Sequence, residues 1–249
     1  MNFQFNDKID NNVLEIVFPN EFKVLGTKPA SKHQLGPLIS RYILPKNILK
    51  KMNSISESIL KSDDKVRYGN HLAGQIDSEY LIPDEILVKN KVKDYFKNII
   101  LCYIRDYYER LGTDNALVHV VNTKVDISKM WIVEQFKHEY NPLHWHEDCT
   151  LSAVMYLKVP EMYNNKIIPG KANKAGNISF VNRSSNPSQS FESPFLTVLP
   201  KEGDIYIFPG YLAHTVYPFD NDVRRLSVSY NANHKVGRDS LYKLGDANG

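Results

Sequence analysis

Cysteines and long apolar runs are scarce in this chain of 249 residues. Its two cysteines, Cys102 and Cys149, cannot build a disulfide framework, and neither belongs to a CxxC pair of the kind that binds zinc. No stretch approaches the roughly 18 apolar residues that a membrane-spanning helix needs. The N-terminus has no basic segment followed by an apolar one, the pattern of a secretory signal. We therefore expect a cytoplasmic protein without a membrane segment.

An excess of charge of one sign is also lacking. The chain has 31 Lys and Arg residues and 28 Asp and Glu residues, which gives a formal net charge of +3. Nucleic-acid grooves need basic residues concentrated on one surface, whereas the basic residues here are spread along the chain. No clear nucleic-acid site is therefore predicted. The hydrophobic content of 42% is that of a globular protein, and it leaves the oligomeric state open.

The first half of the chain predicts helices that pack against a sheet. One or two short β segments, interrupted at Pro19 and Asn20, are expected within residues 13–25. Pro45 suits the first turn of a helix, where its missing N–H group costs nothing. Apolar residues follow at the spacing of one helix face, namely Ile48, Met52, Ile55 and Ile59. A second helical region is predicted from about residue 83 to Leu111, because Gly112 then provides a stop. We interpret residues 1–115 as an N-terminal extension packed on a core formed by residues 116–249.

The character of the sequence changes after Gly112 to short β-rich runs separated by turn residues. The predicted strands lie within residues 116–125, 130–140, 150–159, 177–182, 195–200, 203–209, 213–219 and 224–233. Many short strands at this spacing are typical of a β-sandwich or a jelly roll. The polar connections 160–176 and 182–194 are interpreted as loops at the rim of the barrel. The expected fold is mainly β (α+β), with N-terminal helices as a buttress, in one compact unit.

The stretch NPLHWHEDCTLSAVMYLKVP (residues 141–160) holds an unusual number of side chains that can bind a metal. Residues two apart share a face of an extended strand, so His146 is paired in this way with both His144 and Asp148. A third ligand must come from elsewhere, and His214, after the motif FPG, is the candidate. Two histidines and one carboxylate form the facial triad of non-haem iron oxygenases. Three histidines, with His144 in place of Asp148, form the alternative.

A candidate anion site lies shortly after the distal histidine. Arg225 and Ser227 share a strand face, which places a guanidinium beside a hydroxyl. Arginine presents a planar fork to a carboxylate, and a buried arginine is costly unless an anion neutralises it. Arg224 points the other way in this register, although a slip of one residue would exchange the two arginines.

Together, the order H-x-D, a distal His and then R-x-S resembles the Fe(II)/2-oxoglutarate-dependent dioxygenase superfamily. More narrowly, the motifs resemble its prolyl-hydroxylase-like branch in bacteria and phages. The resemblance extends from Trp131 to Asn233 and implies a double-stranded β-helix (jelly roll). It also implies Fe(II), 2-oxoglutarate and O₂ as cofactors and co-substrates. The implied iron ligands are His146, Asp148 and His214, and the implied 2-oxoglutarate-binding residues are Arg225, Ser227 and Tyr156.

The resemblance implies hydroxylation of a C–H bond in a small-molecule or peptide substrate, with succinate and CO₂ as co-products. A prolyl residue is one candidate target. The connection between Asp148 and the next strand is short, which leaves the substrate class open. A cupin-like enzyme that binds its metal through His144, His146 and His214, without 2-oxoglutarate, is the first alternative. A non-catalytic jelly roll that binds a ligand is the second. The segment 68–76 (YGNHLAGQI) is a candidate substrate-side loop.

Overall fold

The structure of the chain is a computed structural model. It describes residues 36–111, 116–162, 173–182 and 194–236, together with the backbone of three strands nearer the N-terminus. These three are β1 (Gln4–Asn6), β2 (Val13–Val17) and β3 (Lys23–Thr27), which form an antiparallel sheet in the order β1-β2-β3. Strand β2 and most of β3 lie within residues 13–25, where one or two β segments are predicted. Most of each predicted rim loop lies outside the described residues.

The predicted helices form, with one interruption. Helix α1 (Lys46–Lys61) begins directly after Pro45 and buries the predicted face of Ile48, Met52, Ile55 and Ile59. The second helical region is divided into α2 (Asp84–Lys89) and α3 (Lys93–Arg110). Lys91, between them, has a φ angle of 54°, so the backbone leaves the helical conformation there. The buried face of α3 consists of Phe96, Ile99, Ile100, Tyr103 and Ile104.

The strand predicted at residues 116–125 is wrong over its first half. Residues Ala116–Val121 form helix α4, and strand β6 starts at Thr123. The ring of His119 is buried and stacks on Tyr108 of α3, with 3.9 Å between ring centroids. The hydroxyl of Thr123 donates to the carbonyl of His119 over 2.6 Å at the end of the helix. These tertiary contacts outweigh the β propensity of the valines in this segment.

Two antiparallel sheets make up the core. The six-stranded sheet has the order β4 (Ser40–Ile43), β11 (Asp204–Pro209), β8 (Leu151–Lys158), β13 (Arg225–Val236), β6 (Thr123–Gln135) and β5 (Ser78–Leu81). The four-stranded sheet has the order β10 (Phe195–Val198), β9 (Ile178–Val181), β12 (His214–Val216) and β7 (Asn141–His144). This is the jelly roll that the sequence predicted. Its two outer strands in the larger sheet, β4 and β5, come from the N-terminal 115 residues.

The two faces of the six-stranded sheet are buried against different partners. Its outer face packs on α1 and α3 through a large apolar cluster that includes Met155, Ile207 and Val228 of the sheet. A smaller cluster, with Tyr156 and Phe208 among its members, fills part of the space between the two sheets. The helices therefore support the sheet from outside and leave its inner face to the site. Among the described residues, no helix is long and apolar enough to cross a membrane.

Candidate metal centre and its cavity

A cavity of about 220 Å³ lies between the two sheets. Its floor is the inner face of the six-stranded sheet, where residues directly opposite one another share a face. One such row runs across four strands, from Glu79 to Val133, Ser227 and Tyr156. All four side chains line the cavity. Strand pairing therefore determines which residues from distant parts of the chain meet there.

Three imidazoles converge at this cavity. One ring nitrogen from each of His144, His146 and His214 lies within 4.8 Å of the other two. His144 on β7 is directly opposite His214 on β12, and their ring centroids are 4.2 Å apart. The ring of His146 lies 5.4 Å from each of the other two rings. This spacing allows one ion to be bound by all three residues.

The hydrogen bonds of two of these rings suit a metal site. Nδ1 of His144 lies 2.8 Å from the carbonyl oxygen of Pro142, and Nδ1 of His214 lies 2.9 Å from that of Leu212. A carbonyl oxygen only accepts, so each Nδ1 carries the proton and donates. The Nε2 atom of each ring then keeps its lone pair, as in metal-binding histidines oriented by a backbone carbonyl.

Burial keeps the three imidazoles in the neutral form that binds metals. It lowers the pKa of His144, lowers that of His146 to about 4 and lowers that of His214 to about 3. Mutual repulsion contributes, because His144 lowers the pKa of the other two rings. Protons therefore do not compete with a metal ion at neutral pH. Three neutral imidazoles suit iron, zinc, copper or nickel.

The FPG motif has a structural role beside the metal-capable segment. The carbonyl of Gly210 accepts a hydrogen bond from the His146 N–H over 2.9 Å, and its own N–H donates to Thr150 over 3.0 Å. A Cβ atom at Gly210 would lie 2.5 Å from the carbonyl oxygen of Cys149. Only glycine permits this close approach. The turn thus fixes the backbone that carries His146.

The anion site predicted from R-x-S lies at the same cavity. Arg225 is 2% exposed, and so is Ser227. The Nη1 atom of Arg225 donates to the Gly176 carbonyl over 3.0 Å, but its Nε atom has no partner among the described residues. The hydroxyl of Tyr156 is likewise buried without a partner, and the guanidinium lies 5.6 Å from the centroid of that ring. Desolvation lowers the pKa of Arg225.

These unpaired donors fit the distal carboxylate of 2-oxoglutarate. A carboxylate only accepts hydrogen bonds, and its negative charge would offset the cost of burying the guanidinium. Arg224 faces the opposite side of the sheet. It forms ion pairs with Glu57 over 2.6 Å and with Glu134 over 3.1 Å. The inward arginine is therefore Arg225, as the predicted register required.

Residues 129–231 match the family described as "Putative 2OG-Fe(II) oxygenase". The matched segment contains all three imidazoles as well as Arg225, Ser227 and Tyr156. This segment belongs to the 2OG-Fe(II) oxygenase superfamily. The resemblance drawn from the motifs is thereby confirmed for these residues, and it brings with it the cofactors and co-substrates of that superfamily, Fe(II), 2-oxoglutarate and O₂. No curated protein matches the chain.

Solved structures that are similar to this chain include two prolyl hydroxylases and the protein HygX. A prolyl-4-hydroxylase from Pseudomonas putida is 15% identical, with 78% of this chain and 91% of that chain covered and a TM-score of 0.46. A prolyl hydroxylase from Trichoplax adhaerens, in complex with a hypoxia inducible factor peptide, is 11% identical, with coverages of 85% and 87% and a TM-score of 0.49. HygX from Streptomyces hygroscopicus, with nickel, 2-oxoglutarate and hygromycin B bound, is 13% identical, with coverages of 80% and 82% and a TM-score of 0.43.

Asp148 lies apart from the group of three imidazoles. Its side chain is exposed, and residues 147 and 148 form a bend rather than a strand. The expected alternation of faces from His146 to Asp148 therefore does not apply, because it requires an extended backbone. The carboxylate still acts on His146, since its charge partly opposes the lowering of the pKa of that ring. The structure brings together His144, His146 and His214 instead.

Glu79 is a cavity residue that sequence reasoning missed. It lies on edge strand β5, outside the matched oxygenase segment, and is 1% exposed. Nothing local in the sequence marks it, because its position at the cavity results from the pairing of β5 with β6. The nearest signal was the segment 68–76, which leads into this strand and contributes His71, Leu72 and Ala73 to the cavity wall.

Proposed function

We propose that this oxygenase is a hydroxylase in which His144, His146 and His214 bind Fe(II) and the cavity beside them binds 2-oxoglutarate. The observation that supports it most is the buried guanidinium of Arg225, which lines the same cavity as the three imidazoles. 2-Oxoglutarate has a 2-oxo acid at one end and a carboxylate at the other. It therefore requires an anion site beside a metal site. The iron with 2-oxoglutarate and O₂ would supply the oxidation that converts a substrate C–H bond to an alcohol, with succinate and CO₂ as co-products.

The other residues of the cavity bind and orient. Arg225 would hold the distal carboxylate through its planar N–H fork, with neutral donors from Ser227 and Tyr156. The carbonyls of Pro142 and Leu212 hold two imidazoles in the tautomer that presents Nε2. Burial of the apolar residues around them excludes water from the reacting atoms. The chain thus offers three ligands rather than two, which favours hydroxylation over halogenation, where a halide takes the place of a missing ligand.

Titration of the anaerobic protein with Fe(II) and 2-oxoglutarate tests this function. We expect a weak visible charge-transfer band in the wild type, and release of succinate when O₂ is admitted. Arg225→Ala should weaken 2-oxoglutarate binding about 100-fold, since hydrogen bonds to a buried charged group contribute about 3 kcal/mol at most. Arg224→Ala is the matched control and should bind 2-oxoglutarate as the wild type does. Equal affinity in the wild type and in Arg225→Ala would refute the assignment.

The cupin-like alternative is favoured by one observation, the group of three imidazoles without a carboxylate. It predicts that Fe(II) binds while 2-oxoglutarate does not, and that Arg225→Ala leaves the activity intact. The non-catalytic alternative predicts that His146→Ala leaves function intact. The titration with Arg225→Ala therefore tests the first alternative, and the same measurements on His146→Ala test the second.

The target of the hydroxylase is proposed only as a C–H bond of a small molecule or a peptide. A prolyl residue remains one candidate. Stimulation of succinate release by proline-containing peptides, compared with the same peptides in which alanine replaces proline, tests that candidate directly. Equal stimulation by both peptide sets would exclude a prolyl target.

A further inference from the structure

The cavity has a second charged side chain besides Arg225. Glu79 lies in the same cross-strand row as Ser227, two strands away, and so faces the same space. Neighbouring strands are about 4.8 Å apart, which places the backbone of Glu79 about 10 Å from that of Ser227. Among the described residues that line the cavity, Glu79 is the only carboxyl group and Arg225 the only guanidinium. Arg225 lies in a different row, opposite Gln135, and donates to the carbonyl of Gly176 rather than to Glu79.

The carboxyl group of Glu79 is buried without a full set of partners. Its Oε2 atom has no hydrogen-bond partner in the described part of the chain. The nearest charged groups are already engaged: Arg67 pairs with Asp77 over 2.6 Å, and Glu139 accepts from the N–H groups of Asp77 and Phe136. A buried polar group without a partner is costly. Such groups in native proteins call for an explanation, and a ligand is one.

The surroundings of Glu79 offer acceptors and aromatic faces. A Cβ atom at Gly74 would lie 3.2 Å from Oε1 of Glu79 and 2.4 Å from Oδ1 of Asn141, so both side chains reach the same small space. Trp131 and Trp145 line the cavity as well. An ammonium group donates three hydrogen bonds and accepts none, and indole rings attract cations through their faces. A neutral alcohol would use only part of this arrangement.

We propose that the substrate of this oxygenase carries a protonated amine, and that Glu79 binds it at the end of the cavity opposite the 2-oxoglutarate carboxylate. That the bound amine is the substrate, and not another ligand, rests on the proposed function. The geometry assigns one end of the cavity to an anion at Arg225 and the other end to a cation at Glu79. The imidazoles line the same cavity, so the substrate is anchored by its amine while a C–H bond is presented to the metal.

The titration behaviour of Glu79 agrees with this role. Burial is the main cause that raises the pKa of Glu79 to about 7, and repulsion from Glu139 adds to it. A carboxyl group at this pKa ionises fully when a cation arrives, because an opposite charge lowers its pKa again. The carboxyl group of Glu79 would therefore become negatively charged when a positively charged ligand binds.

Binding of three small probes with the same stem tests the proposal. n-Butylammonium, 1-butanol and butyrate are titrated calorimetrically at pH 8 into the chain loaded with Zn(II), as a redox-inert substitute for iron, and 2-oxoglutarate. The same titrations are made with the metal-free chain. We expect n-butylammonium to bind at least about tenfold more tightly than 1-butanol, since a charge-assisted hydrogen bond exceeds a neutral one by about that factor. Equal affinities for the two probes would overturn the proposal without any need for a variant.

Variants then locate the site. Glu79→Gln should abolish the preference for n-butylammonium and leave the affinity for 1-butanol unchanged, whereas Glu79→Asp should retain part of it. Glu85→Gln, which removes an exposed carboxylate on α2, is the control and should keep the preference. A preference that survives in Glu79→Gln would refute the assignment. If the wild type prefers n-butylammonium but does not bind 2-oxoglutarate, only the proposed function is overturned. If it binds 2-oxoglutarate but does not prefer n-butylammonium, only this inference is overturned.

Discussion

Replacement of Glu79 by glutamine should change how the stability of the protein depends on pH. The pKa of Glu79 is raised from an ordinary 4.5 to about 7, and the side chain is 1% exposed. One pKa unit corresponds to about 1.36 kcal/mol, so ionisation of Glu79 costs the folded chain about 3 kcal/mol. The pKa of Glu79 is higher in the folded chain than in the unfolded chain. The free energy of unfolding therefore has its full value below pH 4.5, and about 3 kcal/mol of it is lost as the pH rises through 7. The variant has no such loss.

Urea unfolding of both proteins between pH 4 and pH 8 measures the effect. We expect the free energy of unfolding of Glu79→Gln, relative to the wild type, to rise by about 3 kcal/mol from pH 4 to pH 8. Any constant cost of burying the amide cancels in this comparison. Glu57→Gln, measured in the same way from pH 5 down to pH 2, provides a control of opposite sign, because Lys158 and then Arg224 lower the pKa of Glu57 to about 2. Its stabilisation, about 1 kcal/mol after allowance for partial exposure, is present above pH 4.5 and is lost as the pH falls through 2. A relative stability of Glu79→Gln that stays constant with pH would refute the reasoning.

Three further predictions concern the metal centre and its cavity. His144→Ala should weaken Fe(II) binding, measured by competition with a chelator, on the order of 100-fold or more, because a ligand is lost. Asp148→Ala should weaken Fe(II) binding less than about tenfold. A larger effect of Asp148→Ala than of His144→Ala would make Asp148 the third ligand. Tyr156→Phe should leave the stability of the ligand-free protein almost unchanged and weaken 2-oxoglutarate binding about tenfold, because the hydroxyl has no partner until the carboxylate arrives; unchanged affinity in a titration would contradict this role. Gly210→Ala should lower the melting temperature and the Fe(II) affinity together, since its Cβ would clash with the backbone of Cys149, and a normal affinity would show that this close approach is dispensable.

Features of this protein that depend on local sequence could be predicted, whereas those that depend on pairing between distant strands could not. The buried face of α1 follows from the spacing of Ile48 and Met52, and the position of Arg225 at the cavity follows from the alternation of side chains along β13. Alternation failed at Asp148, because the chain bends there. The pairing of His144 with His214 joins residues 70 positions apart, a relation that no local pattern contains.

The two outer strands of the larger sheet have a consequence for how the protein can be divided. β4 pairs with β11 and β5 pairs with β6, so a fragment limited to the matched residues 129–231 would leave both lateral margins of the sheet with unsatisfied backbone groups. Exposed margins of this kind recruit other chains and promote aggregation. Such a fragment would also lose one wall of the cavity. Glu79, which we propose to bind the substrate, thus lies on a strand that the matched residues do not include.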